Sequence, residues 1–185
     1  IAPGIYRGTK TSVSSDAEDL FARYVKERLP EPLEIWVDPQ LSFPGDRIFR
    51  PDICVVNGKS IAGIFELKMD LGYLRETFAA EAEKRAALLR DLAGKTAHCG
   101  IGNEVREAGF AGDLVMNFVS INGSNISRDK LRIVEDAFKT NPPGPLFILS
   151  RGKSLDRGSG YTIDMDAFAR LEETIAAFRP SGERP

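Results

Sequence analysis

At 185 residues, with 42% hydrophobic and 28% charged residues, the chain is long enough to bury a core as one domain and has the composition of a soluble globular protein. It holds no run of about 18 apolar residues and no signal-like apolar stretch near its start, and its two cysteines, Cys54 and Cys99, are too few for a disulfide framework. The expectation is therefore a reduced, cytoplasmic protein without membrane contact. A net charge of -2 excludes a global basic field, so any nucleic-acid site would have to be a local patch.

In chain order, Ser15-Asp16-Ala17-Glu18 fits a capping box, and Leu20, Phe21, Tyr24, Val25 and Leu29 recur at helical spacing until Pro30. Leu33 to Val37 reads as a strand and Asp38 to Asp46 as a loop of turn formers. Arg47 to Val56 and Ser60 to Met69 are two strand-like runs around Asn57-Gly58, a strong hairpin signal. Leu74, Phe78, Ala82, Ala86, Leu89 and Ala93 then predict an amphipathic helix over Tyr73 to Ala93, stopped by Gly94.

Gly94 to Gly112 is glycine-rich and carries no clear periodicity. Asp113 to Ile121 is nearly continuous in apolar residues, as in a strand buried on both faces. Helices are expected over Arg128 to Lys139 and Asp166 to Phe178, with a short strand at Leu146 to Leu149 between them. Ser150 to Gly160 reads as a basic loop and Ser181 to Pro185 as a polar tail. The order implies a single α/β domain over residues 1–185, with a mixed central sheet flanked by helices and a right-handed crossover after Met69. Its core would span 15–121 and a C-terminal elaboration 122–180.

Three charged residues sit inside the apolar hairpin: Asp52, Glu66 and Lys68. On a regular second strand, Ile61, Gly63, Phe65, Leu67 and Met69 share one face, while Ala62, Ile64, Glu66, Lys68 and Asp70 share the other. Whether Asp52 joins Glu66 depends on the turn. A two-residue loop at Asn57-Gly58 pairs Asp52 with Gly63 and separates the carboxylates. A three-residue loop over Val56-Asn57-Gly58 pairs it with Ala62 and brings all three charges to one face, and a bulge elsewhere shifts the register either way. If they converge, two carboxylates can share a Mg²⁺ with water and phosphate oxygens, and the lysine can orient a water or stabilise developing charge.

Pro51-Asp52 followed after a hairpin by Glu66-Leu67-Lys68 resembles the PD-(D/E)xK motif of the restriction-endonuclease-like nuclease superfamily. That family's core, helix, three-stranded meander, helix and strand, is similar to the reading of Ser15 to Ile121. The resemblance implies an αβββαβ core and Mg²⁺- or Mn²⁺-dependent endonuclease hydrolysis of phosphodiester bonds, with nucleic acid, foremost DNA, as partner and a homodimer as one assembly. It implies Asp52 and Glu66 as metal ligands, the carbonyl of Leu67 as a further ligand and Lys68 as the catalytic lysine. Glu18, beside the apolar stripe of the first helix, corresponds to an acidic residue many members add, although the capping box also accounts for it.

Competing readings remain at this level. Asp/Glu-x-Lys alone is most often a solvated pair, and Arg75, Lys84, Arg85 and Arg90 read as a solvated helix face. Asp70 reads as a cap before that helix. Arg151, Lys153 and Arg157 fit a phosphate backbone or a plain surface loop equally well. His98 is the single histidine, which excludes sites needing two, and His98-Cys99 reads as a structural pair in a loop. Gly58-Lys59-Ser60 lacks the upstream glycine of a phosphate-binding loop, since Ile53 stands there, and no GxGxxG follows a strand. The rivals to a nuclease are a noncatalytic nucleic-acid or protein-binding module on the same fold, and an unrelated hairpin with Asp52 and Glu66 on opposite faces.

Overall fold

A computed structural model describes residues 3–7, 15–71, 77–101, 104–123, 126–140, 143–151 and 162–179. The chain runs β1 (Ile5–Arg7), α1 (Ser15–Lys26), β2 (Glu34–Val37), β3 (Leu41–Phe43), β4 (Arg47–Phe49), β5 (Ile53–Asn57), β6 (Ser60–Asp70) and α2 (Phe78–Leu92). It continues with β7 (Thr96–Ile101), β8 (Glu104–Phe110), β9 (Met116–Asn122), α3 (Arg128–Thr140), β10 (Leu146–Ile148), β11 (Ser150–Arg151), β12 (Thr162–Ile163) and α4 (Met165–Ala176). The segments 72–76 and 152–160 and the tail after 179 lie outside the described residues. So do the expected start of the second helix at Tyr73, with Arg75, and most of the basic loop, with Lys153 and Arg157.

The fold is α/β, with a large mixed sheet covered by helices on both faces. One core packs α1 through Phe21, Ala22 and Val25 and α4 through Ala167, Leu171 and Ile175 against β2, β5, β6 and β10. The other packs α2 through Phe78, Ala82, Leu89 and Leu92 and α3 through Val134 and Phe138 against the opposite side. Phe78 stacks on Phe138 and meets Phe118 edge-on, tying both helices to β9. The first two helices bury most of the stripe that their spacing predicts, although Leu20 and Ala93 are exposed, and the two cores account for the near-continuous apolar runs of β5 and β9.

Strand β5 is antiparallel to both β2 and β6, and the far edge of β6 is parallel to β9. With α1 before and α2 between β6 and β9, the αβββαβ order expected for the core is present. Further strands extend it. The long β6 forks: Ser60 and Ile61 pair with β8, while Ile64 to Asp70 pair with β9, so the β8-β7-β3-β4 wing diverges from the β9-β10 wing.

Several expected elements are corrected by this wing. Arg47 to Val56 is not one strand. Pro51 has no N–H for a ladder, and the chain changes partner across it, from β3 for β4 to β2 and β6 for β5. The expected loop at Asp38 to Asp46 contains β3, whose Leu41 and Phe43 are buried while Ser42 is less so; the turn formers are confined to its two ends. The glycine-rich 94–112 contains the whole of β7 and β8, and in β7 Ala97, Cys99 and Ile101 alternate inward. His98-Cys99 therefore lies in a strand. His98 is exposed, and Cys99 is a buried free thiol pushed up to about 11 by burial, close enough to raise Cys54 further.

Two sites carry stability predictions. Gly144 passes so close to β9 that a Cβ there would strike the carbonyl oxygen of Met116, a backbone atom with little room to give. Gly144→Ala is expected to cost about 2 kcal/mol in urea unfolding. Asp164 caps α4 by accepting from the Ala167 N–H at 2.9 Å, and its other oxygen accepts from Arg151 Nε at 3.0 Å. The cap, then Arg151, hold this carboxyl below its usual range. Its contribution is thus present above the unfolded pKa and lost as pH falls. Asp164→Ala should cost about 1 kcal/mol at neutral pH, and less in acid, by thermal melts across pH.

Candidate active site

The hairpin turn decides which charges meet. Asn57 pairs with Ser60, so the loop is Gly58-Lys59, with Gly58 in the left-handed region at φ 59°, rather than either loop weighed from sequence. Continued unbroken, that register would set Asp52 against Phe65, on the face away from Glu66. A β-bulge intervenes: Val55 pairs with Gly63 but Val56 with Ile61, leaving Ala62 extra. Beyond it Ile53 faces Phe65, and the register carried one residue past the strand end sets Asp52 opposite Glu66. The bulge also breaks the regular face assignment, moving Ile61 to the side of Ile64, Cys54 and Val56.

Asp52 stands immediately before β5 begins. Its backbone carbonyl still accepts from the Asp38 N–H, at 2.7 Å, while its side chain takes the next ladder position on β6, Oδ2 accepting from the Leu67 N–H at 2.6 Å. The carboxyl is pushed up to about 7, first by burial and then by the charge of Glu66, against the opposing pull of Lys68, the Leu67 hydrogen bond and Arg85.

Glu66 is 1% exposed, an unusual place for a carboxylate. Lys68 Nζ donates to its Oε1 at 2.7 Å. Residues i and i+2 of a strand share a face, so this pairing follows from the spacing. Oε2 lies 3.0 Å from Arg85 Nη1, but that nitrogen donates to the Arg50 carbonyl at 3.1 Å, and Oε2 accepts no hydrogen bond from a described residue. A buried carboxylate oxygen that accepts no hydrogen bond from a described residue, on a side chain whose charge raises the Asp52 carboxyl, fits a cation.

Arg85 corrects the reading of Arg75, Lys84, Arg85 and Arg90 as one solvated helix face. Lys84 pairs with Glu81 and Arg90 with Glu83 at the surface, whereas Arg85 reaches the sheet. It lies between Ala82 and Ala86, both buried, whose small side chains let α2 approach the sheet. A cation flanked by inward alanines at positions i−3 and i+1 was the available signal.

Glu18 is paired with Arg7. Its Oε2 accepts from Arg7 Nη1 and Nη2, each at 3.2 Å, and Arg7 also bonds Asp19. Its charge acts on Asp38, which burial pushes up and Glu18 pushes further, while the charged groups acting on Asp52 are Glu66, Lys68 and Arg85. The structure thus brings together Asp52, Glu66, Lys68 and the Leu67 backbone, adds Arg85, and ties Glu18 to Arg7. Among the described residues no three His, Cys, Asp or Glu side chains form a metal-binding group by themselves. No helix among them is long and apolar enough to cross a membrane.

No protein-family model matches the sequence, and no curated protein matches it. Among solved structures, NucC of E. coli MS115-1 in its apo form aligns with a TM-score of 0.47 and 11% identity, covering 92% of this chain and 95% of that one.

Proposed function

We propose that the chain is a metal-dependent nuclease that hydrolyses DNA phosphodiester bonds at the Asp52, Glu66 and Lys68 site. The observation that carries the reading is the buried Glu66 Oε2, which accepts no hydrogen bond from a described residue, on a strand whose register, carried one residue beyond the Ile53–Phe65 pair, sets Asp52 opposite. Asp52 and Glu66 would hold a Mg²⁺ or Mn²⁺ ion, with the Leu67 carbonyl as a further ligand. Glu18, paired with Arg7 through Oε2, would be the acidic residue added from the first helix.

When bound, the ion would supply Lewis acidity toward the phosphodiester and lower the pKa of a water. The chain's own groups do the positioning. The Leu67 N–H fixes the Asp52 carboxylate through Oδ2 at 2.6 Å. Lys68 is a half-buried ammonium on the same face as Glu66, placed to hold a water by its protons and to stabilise the negative charge that builds on the phosphoryl oxygens.

Supercoiled plasmid incubated with Mg²⁺ or Mn²⁺ tests the proposal. The native protein should nick or linearise it, and Asp52→Ala and Lys68→Ala should not. Equal activity in all three would sink the assignment. DNA binding without metal and without cleavage would favour the noncatalytic module.

A further inference from the structure

We infer that Arg85 couples metal to substrate: its guanidinium neutralises Glu66 in the metal-free site and turns to the scissile phosphodiester when a divalent ion is held there. The inference rests on the proposed nuclease reading.

The charge count motivates it. With both carboxylates ionised, Asp52 and Glu66 are balanced by Lys68 and Arg85. Adding a divalent ion leaves these four groups and the ion with two surplus positive charges. A phosphodiester brings one negative charge and the attacking oxygen a second, so the loaded site matches the reacting substrate better than it matches water. The same surplus opposes metal entry when no DNA is present. Lys68 is committed to Glu66 Oε1 by a 2.7 Å hydrogen bond. Arg85 is held differently. Its Nη1 sits 3.0 Å from Oε2 without donating to it, and donates instead to the Arg50 carbonyl. Its side chain is 35% exposed, whereas that of Glu66 is 1% exposed. A guanidinium loosely paired with a carboxylate, anchored by a backbone carbonyl and carried on a partly exposed side chain is placed to exchange partners, and its planar fork suits a phosphate.

The prediction has opposite signs for two ligands. Arg85→Gln removes the charge that competes with the ion and the fork that contacts the phosphate. Calorimetric titration of Mn²⁺ into the protein without DNA should show affinity raised about tenfold over wild type. Fluorescence anisotropy with a DNA duplex in Ca²⁺ should show DNA affinity lowered about tenfold. Arg85→Lys keeps the charge, so its Mn²⁺ affinity should stay within about threefold of wild type while DNA affinity still falls. A merely structural arginine would weaken both ligands together. Unchanged or weakened Mn²⁺ binding in Arg85→Gln, with wild type binding the ion, would overturn the inference and leave the nuclease reading standing. Wild type that takes up no Mn²⁺, with or without DNA, would overturn both.

Discussion

Glu66→Gln and Lys68→Ala are each expected to lower single-turnover plasmid cleavage by about 10²–10³-fold, the loss usually seen when one group aimed at transition-state charge is removed. Glutamine has nearly the same volume as Glu66 and keeps an oxygen for Lys68, so packing beside Phe65 and Leu67 is preserved. What disappears is the negative charge that faces Asp52 and binds Lys68 and Arg85. Lys68→Ala leaves the carboxylates in place and removes only the ammonium, so its defect should lie in turnover, with Mn²⁺ affinity equal to or above that of wild type. Lys68→Arg should not restore the rate, because a planar fork cannot occupy the position of a compact ammonium held 2.7 Å from Oε1. Circular dichroism melts on the same samples separate a chemical defect from an unfolded one. Activity within threefold of wild type in both variants would remove Glu66 and Lys68 from the catalytic machinery.

The legible part of this molecule was its periodicity. Helices announce themselves through stripes such as Ala82, Ala86 and Leu89, and these became the buried faces of the fold. β3 and the β7-β8 pair are hidden from the sequence because these strands are short or carry glycine, so turn chemistry masks a weak two-residue alternation. At the site, residue types were legible and geometry was not. Whether Asp52 faces Glu66 turns on one extra residue, Ala62, and a bulge depends on packing above and below the strand. Here Gly63 lies against Phe178 from the chain's far end, at a position where a Cβ would collide with that ring. No local pattern encodes such a contact. Arg85 was missed for a related reason: a charge on a helix reads as solvated until the buried carboxylate beneath it is known.

In metal-free buffer, stability should fall as pH rises from about 4 to about 7, and Asp52→Asn should remove that fall. Burial and Glu66 raise the Asp52 carboxyl from 3.8 to about 7. Between those values the native chain binds a proton that the unfolded chain has released, so rising pH favours unfolding. The full penalty persists above about 7 and is absent below about 4. A shift of that size corresponds to roughly 3 kcal/mol once partial exposure of the carboxyl is allowed for. Asparagine carries no charge to desolvate, and its amide oxygen can still accept from the Leu67 N–H. The variant should therefore be the more stable protein at pH 8 and lose its advantage near pH 4, while being inactive at both. Urea titrations of the two proteins across this range check the sign directly. A wild-type stability that instead rises between pH 4 and 7, relative to Asp52→Asn, would mean that Asp52 is stabilised as an anion by Lys68 and Arg85. The site would then lack the strained pair of carboxylates that makes it receptive to a cation.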